Sequence, residues 1–199
     1  AIERSLNVPL VRMLSQYNTG RFMTLLKALG MTTLCFSEEH YGASLILGGA
    51  EGTLWDLSGM YASLSRVLTH YRPYNGRYNP EDIHPLTALP RRGGSRTAPT
   101  EPIQSIADQR LTDKPLLSAA SIWFTYEAMS ALNRPEEEAD WQQFESMKQI
   151  AWKTGTSYGG RDAWAIGTTP RYVVGVWVGN ASGEGRPGLT GVGNAAPVL

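Results

Sequence analysis

The chain has 199 residues, 42% of them hydrophobic, which is enough apolar surface for a packed core and too much for wholesale disorder. Eighteen Lys and Arg balance eighteen Asp and Glu, so no global field draws the chain to nucleic acid or to an anionic membrane. Cys35 is the only cysteine, which excludes an intrachain disulfide, and no run approaches the ~20 apolar residues of a membrane-spanning helix.

The first residues, Ala1-Ile2-Glu3-Arg4, are neither a start methionine nor a signal peptide, and Ala195 to Leu199 turn apolar, so the chain reads as a piece of a longer polypeptide. The spacing of Leu10, Val11, Met13, Leu14 and Tyr17 predicts a helix over Pro9 to Tyr17, with Ser5-Leu6-Asn7 just ahead of its start. A second helix is expected over Arg21 to Leu29, stopped by Gly30, the two packing as a hairpin. The apolar run Ser44 to Leu47 leads into Gly48-Gly49-Ala50-Glu51-Gly52. No Lys-Ser/Thr follows, so this is a sharp turn and not a phosphate loop.

Next comes the strongest helical signal. Thr53 is its cap, Asp56 the capping-box partner three residues on, and Leu54, Leu57, Tyr61, Leu64 and Leu68 its core stripe. Tyr71 to Pro102, dense in proline and without periodicity, predicts a long surface excursion with room for a small hairpin. A further helix is expected over Lys114 to Leu132, closed by Asn133 and Pro135, with Glu136-Glu137-Glu138 a solvated turn. Gln149 to Ser157, Asp162 to Thr168 and Arg171 to Gly179 predict a three-stranded antiparallel meander. The last strand is apolar at almost every position from Tyr172 to Val178, so it is expected to be covered on both faces and central in a larger sheet.

The sharpest chemical signal is Lys153-Thr154-Gly155-Thr156-Ser157, a cation and three hydroxyls around one glycine at a strand end. An ammonium flanked by hydroxyls holds a carboxylate, and a glycine lets a ligand backbone lie against the strand as an added partner. Ser5 and Asn7 offer a hydroxyl able to pass a proton and an amide able to hold a carbonyl at a helix entrance. His40, His70 and His84 have no ligand spacing, and no motif implies a metal or another cofactor. Arg91-Arg92-Gly93-Gly94-Ser95-Arg96 is too short and too poor in aromatics for an RNA-binding segment and reads as a solvated loop.

Ser-x-Asn followed far downstream by Lys-Thr-Gly-Thr resembles the second and third motifs of the penicillin-recognising serine enzymes. Arg4 to Pro9, Leu47 to Thr53, Trp152 to Ser157, Arg161 to Trp164 and Val174 to Gly179 are similar to the transpeptidase domain of class A bifunctional penicillin-binding proteins, a resemblance spanning essentially the whole chain. The family's first motif, Ser-x-x-Lys, which supplies the acylated nucleophile, occurs nowhere in the sequence; the nearest string is Thr24-Leu25-Leu26-Lys27, inside a predicted helix.

In the family the nucleophile precedes Ser-x-Asn. The resemblance therefore implies that residues 1–199 are the C-terminal two-thirds or so of a D,D-transpeptidase domain. It implies an α+β, penicillin-binding protein/β-lactamase-like transpeptidase fold, an antiparallel sheet flanked by helices, present as its C-terminal portion. It places a glycosyltransferase domain and a membrane anchor upstream, and the protein on the periplasmic side of the bacterial inner membrane. Carried over, the roles give Ser5 a proton relay to the leaving amine, Asn7 the donor peptide's carbonyl, and Lys153 positive potential. Thr154, Gly155 and Thr156 bind substrate, the two threonines taking the terminal carboxylate and the Thr156 N–H half of the oxyanion hole. The implied partners are peptidoglycan stem peptides, β-lactams and upstream segments of the same polypeptide. No nucleic acid is expected, and no cofactor, and the membrane is reached only through the anchor. The competing expectation is a non-catalytic penicillin-binding sensor or scaffold module that keeps the pocket for recognition only.

Overall fold

The structure, a computed structural model, describes residues 4–88, 111–131 and 150–199. Helix α1 spans Asn7–Tyr17 and opens ahead of Pro9, whose missing N–H falls in the first turn, where backbone donors have no intrahelical partner. Asn18, at φ 85°, turns the chain at once into α2 (Thr19–Ala28), and its side chain accepts from the Arg21 N–H at 3.0 Å. Gly30, at φ 106°, follows the end of α2 as its sequence position suggests. The hairpin buries Leu14 and Met23 in a core shared with Met31, Leu34, Tyr41 and Leu45. Tyr41 closes the short α3 (Glu38–Tyr41), and the apolar run at 44–47 lies in the 3-10 helix that follows, Gly42–Leu47.

Helix α4 (Leu54–Tyr71) has the expected Thr53 cap, whose Oγ1 accepts from the Asp56 N–H at 2.9 Å. The return half of the capping box is replaced. Asp56, shorter by one methylene than the usual Glu, turns its Oδ2 to the N–H of Thr32 at 2.9 Å and the Thr32 hydroxyl at 2.6 Å. The predicted stripe of Leu54, Leu57, Tyr61, Leu64 and Leu68 is only half-buried, while Gly59, Ser63, Ser65 and Val67 are the buried positions. The reason is that α4 is hemmed on its other side. Ser63 donates to the His84 carbonyl at 3.2 Å, and Ser65 meets Thr168 Oγ1 at 2.6 Å. Arg66 holds the same loop, donating to the carbonyls of Asp82 at 2.9 Å and His84 at 3.0 Å.

Helix α5 (Ala119–Ser130) starts later than predicted, because Pro115 disfavours helix in the residue before it and Ser118 supplies the cap, accepting from the Ser121 N–H at 3.1 Å. Residues 89–102 of the predicted excursion, the Arg91 to Arg96 patch, Leu132, Asn133, Pro135, Glu136 to Glu138 and Gln149 lie outside the described residues.

The last third is the predicted meander: β1 (Ala151–Thr156), β2 (Asp162–Thr168) and β3 (Val173–Gly179), paired antiparallel in that order. Together with the helices this makes an α+β architecture of mixed helix and antiparallel sheet. The register sets Lys153 opposite Ile166, and Thr154 and Thr156 opposite Ala165 and Ala163, so Lys153 lies on one face and the two threonines on the other. The threonine face is covered by the C-terminal turns Gly191–Ala195 and Ala196–Val198, which pack Ala195 with Leu189, Ala163 and Ala165.

The larger sheet expected around the apolar strand is not completed by the described residues. Among the described residues β3 pairs with β2 alone, and Tyr172, Val174 and Trp177 remain exposed, at 70%, 43% and 38%. Only part of it is covered. α4 meets it at Gly175, where a Cβ would stand 2.4 Å from Ser58 Oγ, and the C-terminal turns shield Val176 and Val178.

Candidate functional site

Lys153 stands in mid-strand of β1 and is half-buried. Its ammonium donates to the Ser5 hydroxyl at 2.7 Å and to the Thr154 carbonyl at 2.7 Å. No ion pair joins it to a carboxylate among the described residues. Burial without a counter-charge lowers its pKa from the ordinary lysine range, because the charged form loses water and gains only dipoles. Such an amine gives up a proton more readily than a surface lysine.

Ser5 reaches Lys153 from the turn ahead of α1. Its φ is 49°, in the left-handed region that non-glycine residues seldom occupy. A conformation of this kind costs on the order of 1 kcal/mol and persists only where surrounding structure imposes it. Asn7 opens α1 two residues on; its side chain is exposed and makes no hydrogen bond to another described residue.

The strand's edges follow from one bond. The Ser157 N–H donates to the Asp162 carbonyl of β2 at 2.9 Å, so by the two-residue alternation Gly155 also points its backbone groups at β2, while Thr154 and Thr156 point theirs outward. The Lys153 ammonium on the Thr154 carbonyl agrees with that direction. No strand pairs with this outer edge among the described residues. At Gly155 a Cβ would meet only Trp164 Cβ at 3.7 Å, an ordinary contact, so internal packing does not demand glycine there.

A cavity of about 360 Å³ runs along this part of the molecule between Phe22 and Leu26 of α2, Leu57 and Tyr61 of α4, and Lys153 to Ser157. Its walls are mainly apolar. The Tyr61 phenol is pushed up to about 12 by burial and by the neighbouring Tyr126, so it is a neutral hydroxyl at physiological pH. An apolar wall beside a cation raises the strength of the electrostatic contacts a ligand makes there to the extent that it excludes water.

The structure thus brings Ser5 and Lys153 into contact and sets the Thr156 N–H on the same strand's open edge. It leaves Asn7 apart and turns the threonine side chains toward the C-terminal turns. There the Thr156 hydroxyl accepts the Gly191 N–H at 2.9 Å. Reading the sequence did not find Gly191; its only trace is the glycine-rich run Gly188 to Gly193 ahead of an apolar end. Among the described residues no cluster of three His, Cys, Asp or Glu side chains could hold a metal ion.

No family model matches the chain. Among curated proteins, penicillin-binding protein 1C of Escherichia coli (strain K12) is 32% identical to it over all 199 residues. The chain spans 22% of that protein's length, so the likeness runs from end to end of the chain and covers about a fifth of the relative.

Proposed function

We propose that the chain, similar along its whole length to a stretch of a penicillin-binding protein, forms the C-terminal two-thirds or so of a D,D-transpeptidase domain that crosslinks peptidoglycan stem peptides. In this reading residues 1–199 carry the proton relay and the substrate-binding strand of a penicillin-binding protein/β-lactamase-like fold. The acylated serine comes from outside them, since the sequence holds no Ser-x-x-Lys. Additional strands along the free edge of β3 would complete the sheet. The same longer protein would supply the glycosyltransferase and the anchor that holds it on the periplasmic side of the inner membrane. No described helix is long and apolar enough to cross a membrane.

The reaction is an acyl transfer, and the geometry suits its parts. The donor peptide lies along the open edge of β1 as an added strand, against Gly155, whose missing side chain lets a backbone approach. Its terminal carboxylate takes hydrogen bonds from the hydroxyls of Thr154 and Thr156 in the positive potential of Lys153. The outward Thr156 N–H supplies one donor to the oxyanion that forms at the attacked carbonyl, and the Asn7 amide holds the peptide's preceding carbonyl. As the serine oxygen bonds to the carbonyl carbon, its proton passes through Ser5 to the leaving amine, breaking the amide and leaving the acyl-enzyme. Lys153, held on Ser5 and short of counter-charge, favours that transfer by stabilising the hydroxyl oxygen while its proton is in flight. A β-lactam enters by the same contacts, with its ring amide as the bond that breaks.

The observation that carries this reading is the 2.7 Å bond from Lys153 to Ser5, which joins the two motifs at one point. Its test is acylation of the full-length protein by a fluorescent penicillin. Ser5→Ala and Lys153→Ala are each expected to slow labelling by about 10²-fold or more, the usual cost of removing a proton-transfer or oxyanion-stabilising group. Labelling of both variants at the wild-type rate overturns it. Crosslinked muropeptides made by the purified protein separate a transpeptidase from a binding module without turnover.

A further inference from the structure

We infer that Gly191 is a positioning residue for the carboxylate-binding edge of β1. The inference rests on the reading of Thr156 as a carboxylate ligand and adds what holds that ligand in place. The Gly191 N–H donates to Thr156 Oγ1 at 2.9 Å from the C-terminal side of the sheet. A threonine hydroxyl has two acceptor sites and one hydrogen. With one acceptor site filled from behind, and with no described acceptor taking its hydrogen, the Thr156 hydroxyl has its O–H left to donate to an anion arriving at the strand's edge. A freely rotating hydroxyl would have to be ordered at the moment of binding; the Gly191 N–H bars this hydroxyl's hydrogen from the direction it occupies and so narrows the rotation that binding must freeze.

Only glycine can come so close. A Cβ at position 191 would stand 2.5 Å from the Gly155 carbonyl oxygen, 2.7 Å from the Trp164 carbonyl oxygen and 3.0 Å from Thr154 Cβ. Two of those three atoms are backbone of paired strands and cannot give way without shifting the ladder that carries Lys153. The turn that presents Gly191 is itself fixed from both sides. Asn194 Oδ1 accepts the Thr190 N–H at 2.9 Å, and Thr190 Oγ1 accepts the Gly193 N–H at 3.1 Å. Gly191 is therefore built into the sheet's back wall with its N–H aimed at one side chain of the binding strand.

The test compares two probes on the full-length protein: benzylpenicillin, which carries the free carboxylate, and its carboxyl methyl ester, which does not. The quantity read is the ratio of their acylation rate constants. Thr156→Val is expected to lower the acid-to-ester ratio about tenfold, the worth of one hydrogen bond to a charged group, while Thr156→Ser, which keeps the hydroxyl, retains the ratio. Gly191→Ala is expected to lower the ratio toward that of Thr156→Val. Thr190→Val, which loosens the turn without adding bulk at the strand, lowers it in the same direction by a smaller factor and decides the matter alone if Gly191→Ala does not fold. Equal losses for acid and ester in the Gly191 and Thr190 variants mean the turn only supports the sheet, and overturn the inference. A wild-type ratio in Thr156→Val refutes the carboxylate role of Thr156 itself, a separate failure.

Discussion

The Lys153 ammonium and the Ser5 hydroxyl, 148 residues apart in sequence, are 2.7 Å apart in space. Everything that holds the ammonium is a neutral dipole: one hydroxyl oxygen and one carbonyl oxygen. Among the described residues no carboxylate is paired with this cation.

That arrangement has a signature in stability against pH. Burial lowers the Lys153 pKa below its ordinary value of 10.5, so the unfolded chain binds this proton more tightly than the folded one. Between the folded value and 10.5 the unfolded state holds more protons, and the stability contributed by this site rises with pH through that window. Lys153→Gln is expected to remove that rise. Urea midpoints measured at pH 8 and pH 10 check it, and identical pH slopes for the two proteins refute it.

Asp56 behaves in the opposite sense. Desolvation by burial raises its pKa, but the hydrogen bonds from the side chain and N–H of Thr32 and from Thr53 outweigh it, so the net shift is below 3.8. Its stabilisation is present above 3.8 and is lost as pH falls through the folded value. Asp56→Asn should cost about 1 kcal/mol at neutral pH, at the low end for a charged hydrogen bond because the group is partly solvated, and should converge on wild type in strong acid. Denaturation at pH 7 and pH 2.5 measures both.

The contact between α4 and β3 depends on Gly175. An added methyl would stand 2.4 Å from Ser58 Oγ and 2.9 Å from Leu54 Cδ1. Gly175→Ala should destabilise by about 1–3 kcal/mol, the range for overpacking, and Ser58→Ala in the same chain should restore part of the loss. A thermal melt of the single and double variants decides it; equal melting of Gly175→Ala and wild type would show that the helix shifts at no cost.

Trp152 is 5% exposed, and its Nε1 is buried without a partner among the described residues. Phenylalanine keeps most of the packing and removes the stranded donor. Trp152→Phe should therefore cost less than about 1 kcal/mol, whereas Trp152→Ala should cost about 3–5. Chemical denaturation of the two variants tests the difference, and similar losses in both would mean that the indole N–H is hydrogen-bonded.

The meander, the α1–α2 hairpin and the Thr53 cap were legible in the sequence because each rests on contacts between near neighbours, where periodicity and cap chemistry act. Asp56 was read as a local partner of Thr53, yet its carboxylate goes to Thr32, 24 residues away, and no local pattern encodes that choice. Ser63 and Ser65 look like polar interruptions of a leucine stripe; their burial comes from His84 and Thr168, elements that only the tertiary fold brings near. An all-apolar strand such as β3 signals that it needs cover, and the same signal fits the centre or the edge of a sheet. Ser5 and Lys153 were legible in the sequence as motif resemblance and chemistry, and the structure adds only that the two are hydrogen-bonded. Gly191 was not legible, because a glycine's meaning is the atom its Cβ would strike.

The chain order of the Ser5–Lys153 contact also sets a clock for the cell. Ser5 leaves the ribosome first, and at about 5–20 residues per second some 7–30 s pass before Lys153 is made. During that interval α1 and α2 are held by the cluster of Leu14, Met23, Met31, Leu34, Tyr41 and Leu45, while the three consecutive strands, once synthesised, can zip through short hairpin turns in about 1–10 μs per hairpin. Of the two hydrogen-bonded residues the one translated first is thus the one that waits, and they meet only when the later-made sheet docks onto the earlier-made helices.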